Sequence, residues 1–190
     1  MNETKTTQEA PLEKFLAQQR CKRIRPYVHG KRVLDFGCGV NAWNAISIQN
    51  ICLRVDGVDR SLHQSGRIHN INVYQDLDEI QAVNYDVIMA LAVFEHIKPL
   101  QLRSLLDLLH RLSHDNTIII GTVPSRRARR VLELLSYKLK LIDRSQIEDH
   151  KVYYDDLWMR EIVEDTGWRL QTFKTFQLGM NCFFKLSKSA

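Results

Sequence analysis

The chain has 190 residues, 44% of them apolar, which is enough for one domain with a buried core and too many for a disordered chain. Lys and Arg number 27 against 22 Asp and Glu, and the resulting formal charge of +5 permits acidic partners without requiring them. Cys21, Cys38, Cys52 and Cys182 form no CxxC pair and no zinc spacing, the leading MNETKTTQEAPLEK has no hydrophobic signal region, and no apolar run could span a bilayer, so the chain is expected to be cytoplasmic with reduced thiols.

Residues 1–11 read as a flexible polar lead, and Leu12 to Tyr27 as a helix ending near Pro26. A strand at Arg32–Phe36 then runs into Gly37-Cys38-Gly39, followed by a helix from Ala42 to Ile51. Leu53–Val58 is a second strand, Leu62–His69 a short helix, Asn72–Tyr74 a third strand and Tyr85–Leu91 a fourth. A Leu-rich helix from Leu100 to Leu112 leads to a fifth strand at Thr117–Val123. Residues 126–142 read as helical, and Asp155–Thr166 as a helix stopped by Gly167. Trp168–Phe176 and Cys182–Leu186 close the chain as an antiparallel hairpin, since their linker is too short for a crossover. Continuous apolar strands alternating with helices predict a single Rossmann-like, doubly wound α/β domain over residues 1–190. Its sheet should be mostly parallel and seven-stranded, with a C-terminal antiparallel hairpin, in a three-layer α/β/α sandwich.

The charge is unevenly spread. Residues 1–32 sum to +5, 33–124 to −4, 125–144 to +5 and 145–190 to −1. An acidic centre is therefore flanked by two basic segments.

Gly37-Cys38-Gly39-Val40-Asn41-Ala42 turns a strand into a helix through GxGxxA, which formally fits the dinucleotide fingerprint. Asp59 follows Gly37 by 22 residues at the end of the second strand, where a carboxylate can accept hydrogen bonds from ribose hydroxyls. Both a dinucleotide and an amino-acid-bearing nucleoside would use it. Asp35 separates them. It is a carboxylate inside an apolar strand, costly to bury without a cationic or donor partner, and it would repel a pyrophosphate but attract an ammonium. Physical reasoning favours the second ligand.

The stretch VLDFGCGVNAW resembles the first motif of class I S-adenosylmethionine-dependent methyltransferases, and DGVDRS at 56–61 their second. VYQDLDEI at 73–80 is similar to the adenine-contacting third, and YDVIMALAVFEHI at 85–97 to the stretch after the fourth strand in the type 11 and 23 branches. The C-terminal EDHKVYYDDLWMREIVEDTGWRL and FQLGMNCFF resemble small members associated with glycan biosynthesis, and the likeness covers about residues 25–186. Asn41 stands where many relatives have a third glycine; asparagine tolerates left-handed backbone better than most residues. The resemblance implies S-adenosyl-L-methionine as cofactor. It implies that Asp35 and Gly37 handle its methionine moiety, Gly39 permits close approach, and Asp59 takes the ribose hydroxyls. It also implies Asp76 on the adenine amino group with Leu77 beside the ring, and Ala90 and Leu91 near the sulfonium. Cys38, between the glycines, and Arg60, next to Asp59, are counted with the cofactor residues. Read without the resemblance, Asp76 and Asp78 are ordinary turn acids and Ala90 and Leu91 ordinary strand residues.

Methyl transfer from a sulfonium is an in-line displacement, so the protein must align a nucleophile and, for a hydroxyl, remove its proton. His96, after the fourth strand, is the first candidate base and His150 the second; each can alternatively be read as a capping or exposed loop histidine. Glu95, His96, Glu148, Asp149 and His150 match no metal spacing, so no metal is assigned. His29, His63, His69, His110 and His114 have no evident partners in the sequence and are given no role. The prolines Pro11, Pro26, Pro99 and Pro124 build neither an Asn-Pro-Pro-Tyr motif nor a Pro-Cys nucleophile, which excludes base methylation by those routes and makes nucleic acid an unfavoured partner.

The basic segment 125–144 follows the fifth strand and is expected beside the acceptor entrance, within an insertion at 125–150. Leu132, Leu135, Leu139 and Ile142 recur at helical spacing among Arg126, Arg127, Arg129, Arg130, Lys138 and Lys140. That reads either as a basic amphipathic lid meeting an anionic substrate or a peripheral membrane surface, or as an ordinary covering helix. The expected function is O-methylation of a small, anionic or glycan- or lipid-linked acceptor. The alternatives are an NAD-dependent oxidoreductase and a non-catalytic, methyltransferase-like binding subunit. The sequence does not set the oligomeric state.

Overall fold

The computed structural model describes residues 11–81, 84–125 and 154–189. In chain order the elements are α1 (Pro11–Val28), β1 (Arg32–Phe36), α2 (Trp43–Ile48), β2 (Arg54–Val58), β3 (Gly66–Ile68), β4 (Ile71–Tyr74), β5 (Tyr85–Leu91), α3 (Pro99–Arg111), β6 (Ser113–Pro124), α4 (Asp156–Val163), β7 (Trp168–Phe176) and β8 (Asn181–Lys188). Short 3-10 turns fall at Leu77–Glu79 and Phe94–His96.

The described strands form one sheet in the order β3-β4-β2-β1-β5-β6-β8-β7. The run from β4 to β6 is parallel, and β8 slots antiparallel between β6 and β7. Side chains alternate across the sheet, so each face builds its own core. Val87, Met89 and Leu91 of β5 join Ile24 and Val28 of α1 and Ala45 and Ile48 of α2. Ile88 and Ala90 join Leu102, Leu106 and Leu109 of α3 and Met159, Ile162 and Val163 of α4. The helices thus cover both faces, and the fold class expected from the sequence is the one observed.

Four local differences have physical causes. Leu62–His69 is not a helix: Gly66–Ile68 pairs antiparallel with β4, adding an eighth strand at the edge. Ile68 and Ile71 face each other across a two-residue turn in which His69 adopts φ 54°, and that pairing wins over a segment interrupted by Gly66. Helix α1 continues through Pro26 to Val28. Proline there removes a single N–H in the last turn, a small loss beside the burial of Ile24 and Val28. Helix α2 starts at Trp43, because Ala42 is left-handed at φ 46° and caps it. Strand β6 starts four residues early, at Ser113, where the Thr117 hydroxyl donates to the Tyr85 carbonyl at 2.6 Å across an irregular register. The expected helix at 126–142 lies outside the described residues, and so does most of the basic insertion.

Candidate cofactor and acceptor site

Strands β1 and β5 are sheet neighbours, but the chain leaves β1 toward β2 on one side and β5 toward β6 on the other. The loops after β1 and β5 therefore border the crevice where open α/β sheets bind ligands. Two non-glycine residues flank it in left-handed conformation, Ala42 at φ 46° and Ala92 at φ 58°. Such backbone costs about 1 kcal/mol or more and clusters at functional sites.

In the first loop, Gly37 (φ 78°) and Gly39 (φ 68°) need glycine's conformational freedom, and a Cβ on Gly37 would run into Val93. Three of the loop's N–H groups are already committed. Gly37 N (2.8 Å) and Cys38 N (3.2 Å) both donate to Val58 O, while Gly39 N donates to Asp59 Oδ2 at 2.7 Å. A pyrophosphate cradle needs those donors pointing at the ligand. Here they bind the loop to β2.

Asp35 is fully buried, and neither carboxylate oxygen makes a hydrogen bond. Burial raises its pKa to about 7; the nearby Ala45 N–H opposes this and the Asp59 charge adds to it. Asp59 is half-buried, and its Oδ1 accepts from Ser61 N (2.8 Å) and Ser61 Oγ (2.6 Å). The Cys38 thiol is buried, donates to Gly39 O at 3.5 Å, and is pushed up to about 12 by burial and then by Asp35 and Asp59. It is an inert packing group, not a nucleophile.

Asp76 caps the turn Leu77–Glu79 in a capping box: it accepts from Asp78 N at 3.3 Å while Glu79 Oε1 accepts from Asp76 N at 3.2 Å. Leu77 is buried beside it. The Arg60 side chain is 90% exposed, with its guanidinium 3.8 Å from Asp76. Ala90 and Leu91 are buried at the end of β5. His96 is half-buried in the turn after β5, and its backbone N–H donates to Val93 O at 3.0 Å. His150 lies outside the described residues, as do Glu148 and Asp149. Asp35, Gly37, Cys38, Gly39, Ala90, Leu91 and His96 thus lie at or just beyond the ends of β1 and β5, and Asp59, Arg60, Asp76 and Leu77 just beyond the ends of β2 and β4.

Sequence reasoning considered Glu95 only within a set of metal ligands and gave it no role. It is 1% exposed, its Oε2 makes no hydrogen bond, and burial pushes its pKa to about 8 against the opposing pull of its own N–H and of Arg20. Neighbours in a 3-10 turn project about 120° apart, so the Glu-His pair sends one side chain inward and leaves the other half-buried. A charged residue beside Phe94 in an otherwise apolar run was the available signal.

The rim of this end of the sheet is apolar. Helices α3 and α4 and the β7–β8 turn all begin or lie at the end where the parallel strands finish. Among the described residues, Val40, Trp43, Leu100, Leu157, Trp158 and Leu178 are large exposed hydrophobics at this end, and Leu53 alone belongs to the other.

A parallel sheet completed by an antiparallel strand inserted before the edge, with an orphaned acid in β1 and a second acid closing β2, defines a nucleoside-binding α/β protein of the methyltransferase type. A methyltransferase-domain family matches residues 12–172, and the chain belongs to that family. Its cofactor is S-adenosyl-L-methionine. The oxidoreductase alternative falls with this match.

Solved structures agree on the fold. A SAM-dependent methyltransferase from Archaeoglobus fulgidus is 18% identical, with 92% of this chain and 94% of that one covered at TM-score 0.65. Magnesium protoporphyrin IX methyltransferase from Synechocystis PCC 6803, with bound SAH, is 16% identical, covering 93% and 84% at TM-score 0.61. The 1,6-didemethyltoxoflavin-N1-methyltransferase of Burkholderia thailandensis is 11% identical, covering 92% and 78% at TM-score 0.65. The last two act on unrelated acceptors, so the shared fold does not select one. No curated protein sequence matches the chain.

Proposed function

We propose that this chain is a single-domain enzyme that O-methylates a small anionic acceptor of the kind carried on glycans or lipid-linked intermediates. The observation that carries the cofactor half of this reading is Asp35. A fully buried carboxylate with two orphaned oxygens calls for a cationic or donor partner, and the methionine ammonium of the cofactor is both. Asp35 and Gly37 hold the methionine moiety, with Cys38 packing the loop and Gly39 keeping it open; no atom lies within 4 Å of a Cβ built on Gly39. Asp59 takes the ribose hydroxyls by exchanging its Ser61 contacts, while Asp76, Leu77 and Arg60 line the adenine end. Ala90 and Leu91 form the floor under the transfer point, and His96 and His150 remain the acceptor-side histidines. When bound, the cofactor supplies a methyl group already activated on sulfur, which leaves the protein to orient the acceptor and exclude water.

Two features support an anionic acceptor at a lipid surface. The segment 125–144 carries +5 by sequence and departs from Pro124, at the end of β6 beside the crevice. The exposed hydrophobics at the same end include two tryptophans, a residue type suited to membrane interfaces. Calorimetry with S-adenosylmethionine, S-adenosylhomocysteine and NAD tests the cofactor half, and NAD binding without the other two would overturn it. Co-sedimentation with anionic and neutral vesicles tests the surface: Arg126, Arg127, Arg129 and Arg130 all changed to Gln should weaken anionic-vesicle binding at least about tenfold and leave cofactor affinity unchanged. Cofactor binding with no methyl transfer into lipid or glycan extracts would make the chain a binding subunit.

A further inference from the structure

Three buried side-chain oxygens among the described residues make no hydrogen bond: both of Asp35 and Oε2 of Glu95. The fold satisfies a buried carboxylate where only packing is at stake. Asp56, equally buried, takes Arg54 Nε at 2.7 Å, Tyr85 Oη at 2.8 Å and Asn72 Nδ2 at 3.0 Å. The carboxylates with orphaned oxygens instead lie on the two segments that border the switch point of the sheet, Asp35 near the end of β1 and Glu95 in the turn after β5. The crevice receives two ligands. The cofactor's ammonium accounts for Asp35, and its sulfonium has no N–H or O–H to offer the second carboxylate.

We infer that Glu95 binds the hydrogen-bond-donating group of the acceptor, a hydroxyl or amine held at the point of methyl transfer. The inference rests on the cofactor reading above and adds the acceptor's inner end to it: a donor group held inward on Glu95. Charged or titratable neighbours are Arg20 from α1, Tyr154 ahead of α4 and His96 on the same turn. Burial keeps the Glu95 carboxyl largely protonated in the empty site, and a cation entering the crevice favours its ionised form. Where the donor is a hydroxyl, its oxygen bonds to the methyl carbon as the carbon–sulfur pair returns to sulfur, and its proton passes to the Glu95 carboxylate.

Sinefungin, which bears an amine where the cofactor has its methylated sulfonium, probes this position without knowledge of the acceptor. The wild-type protein should bind sinefungin about tenfold more tightly than S-adenosylhomocysteine, since a charge-assisted hydrogen bond is added. In Glu95→Gln that preference should disappear while S-adenosylhomocysteine affinity stays within about twofold. Glu95→Asp, which withdraws the carboxylate by one methylene, should retain only part of it and decides the matter if Glu95→Gln does not fold. A preference unchanged in these variants, or absent in the wild type, overturns this inference alone. Failure of the wild type to bind either compound overturns the cofactor reading and this inference together.

Discussion

At the end where the parallel strands begin, the Asp86 carboxylate accepts from Arg32 N at 2.8 Å and from Arg32 Nε and Nη2 at 3.3 Å each, with His114 Nε2 3.0 Å away. Burial alone would raise its pKa, but these donors outweigh it and hold it at about 2. At the end where the strands finish, Asp35 and Glu95 are more deeply buried, have orphaned oxygens, and are pushed up to about 7 and about 8. One sheet therefore has a stabilised end and an end where polar groups are left open at a cost in stability. The difference teaches where ligands belong: unsatisfied burial persists only where something else completes it.

The largest expected effect comes from closing the open end. Asp35→Asn should weaken S-adenosylhomocysteine binding at least about 100-fold by calorimetry, since it removes the ammonium's counter-charge. The same variant should stabilise the ligand-free protein. A carboxyl with a raised folded pKa costs nothing below about pH 4, and its penalty grows as pH rises toward about 7. The gain in melting temperature should accordingly be absent at pH 4 and greatest at pH 8. A variant no more stable than wild type at pH 8 would break the contrast between the two ends.

Asp86→Ala tests the other end. Its depressed folded pKa contributes stability that is full above about pH 4 and lost as pH falls through about 2. Chemical denaturation at pH 7 should show a loss of about 2 kcal/mol, shrinking toward zero near pH 2. Tyr85→Phe removes one of the three partners of Asp56 and should cost about 1 kcal/mol, a smaller change because Arg54 and Asn72 remain. Arg60→Ala should stay within about 0.5 kcal/mol of wild type in stability, because its guanidinium is exposed and 3.8 Å from Asp76.

Much of this was legible in the chain. Asp35 stood out because a carboxylate interrupts an apolar strand, and Asp59 because it closes the next one and ties down the glycine loop through Gly39 N. The strands of the parallel core were readable because burial on both faces makes them continuously apolar. His114 had no visible partner in sequence, since its partner Asp86 comes 28 residues earlier on an adjacent strand. The edge strand β3 was missed because three residues gain their structure from pairing with β4, not from their own pattern.

The sequence by itself determined the order of the strands of the parallel core, the glycine turn and the two acids that frame it, because these depend on local backbone freedom and on periodic burial. The tertiary structure decided which donors remain free for a ligand. It committed the N–H groups of Gly37, Cys38 and Gly39 to Val58 and Asp59, paired Asp86 and Asp56, and buried Glu95 while leaving its Oε2 without a partner. Satisfaction of a buried polar group depends on atoms distant in the chain, and only folding brings them together.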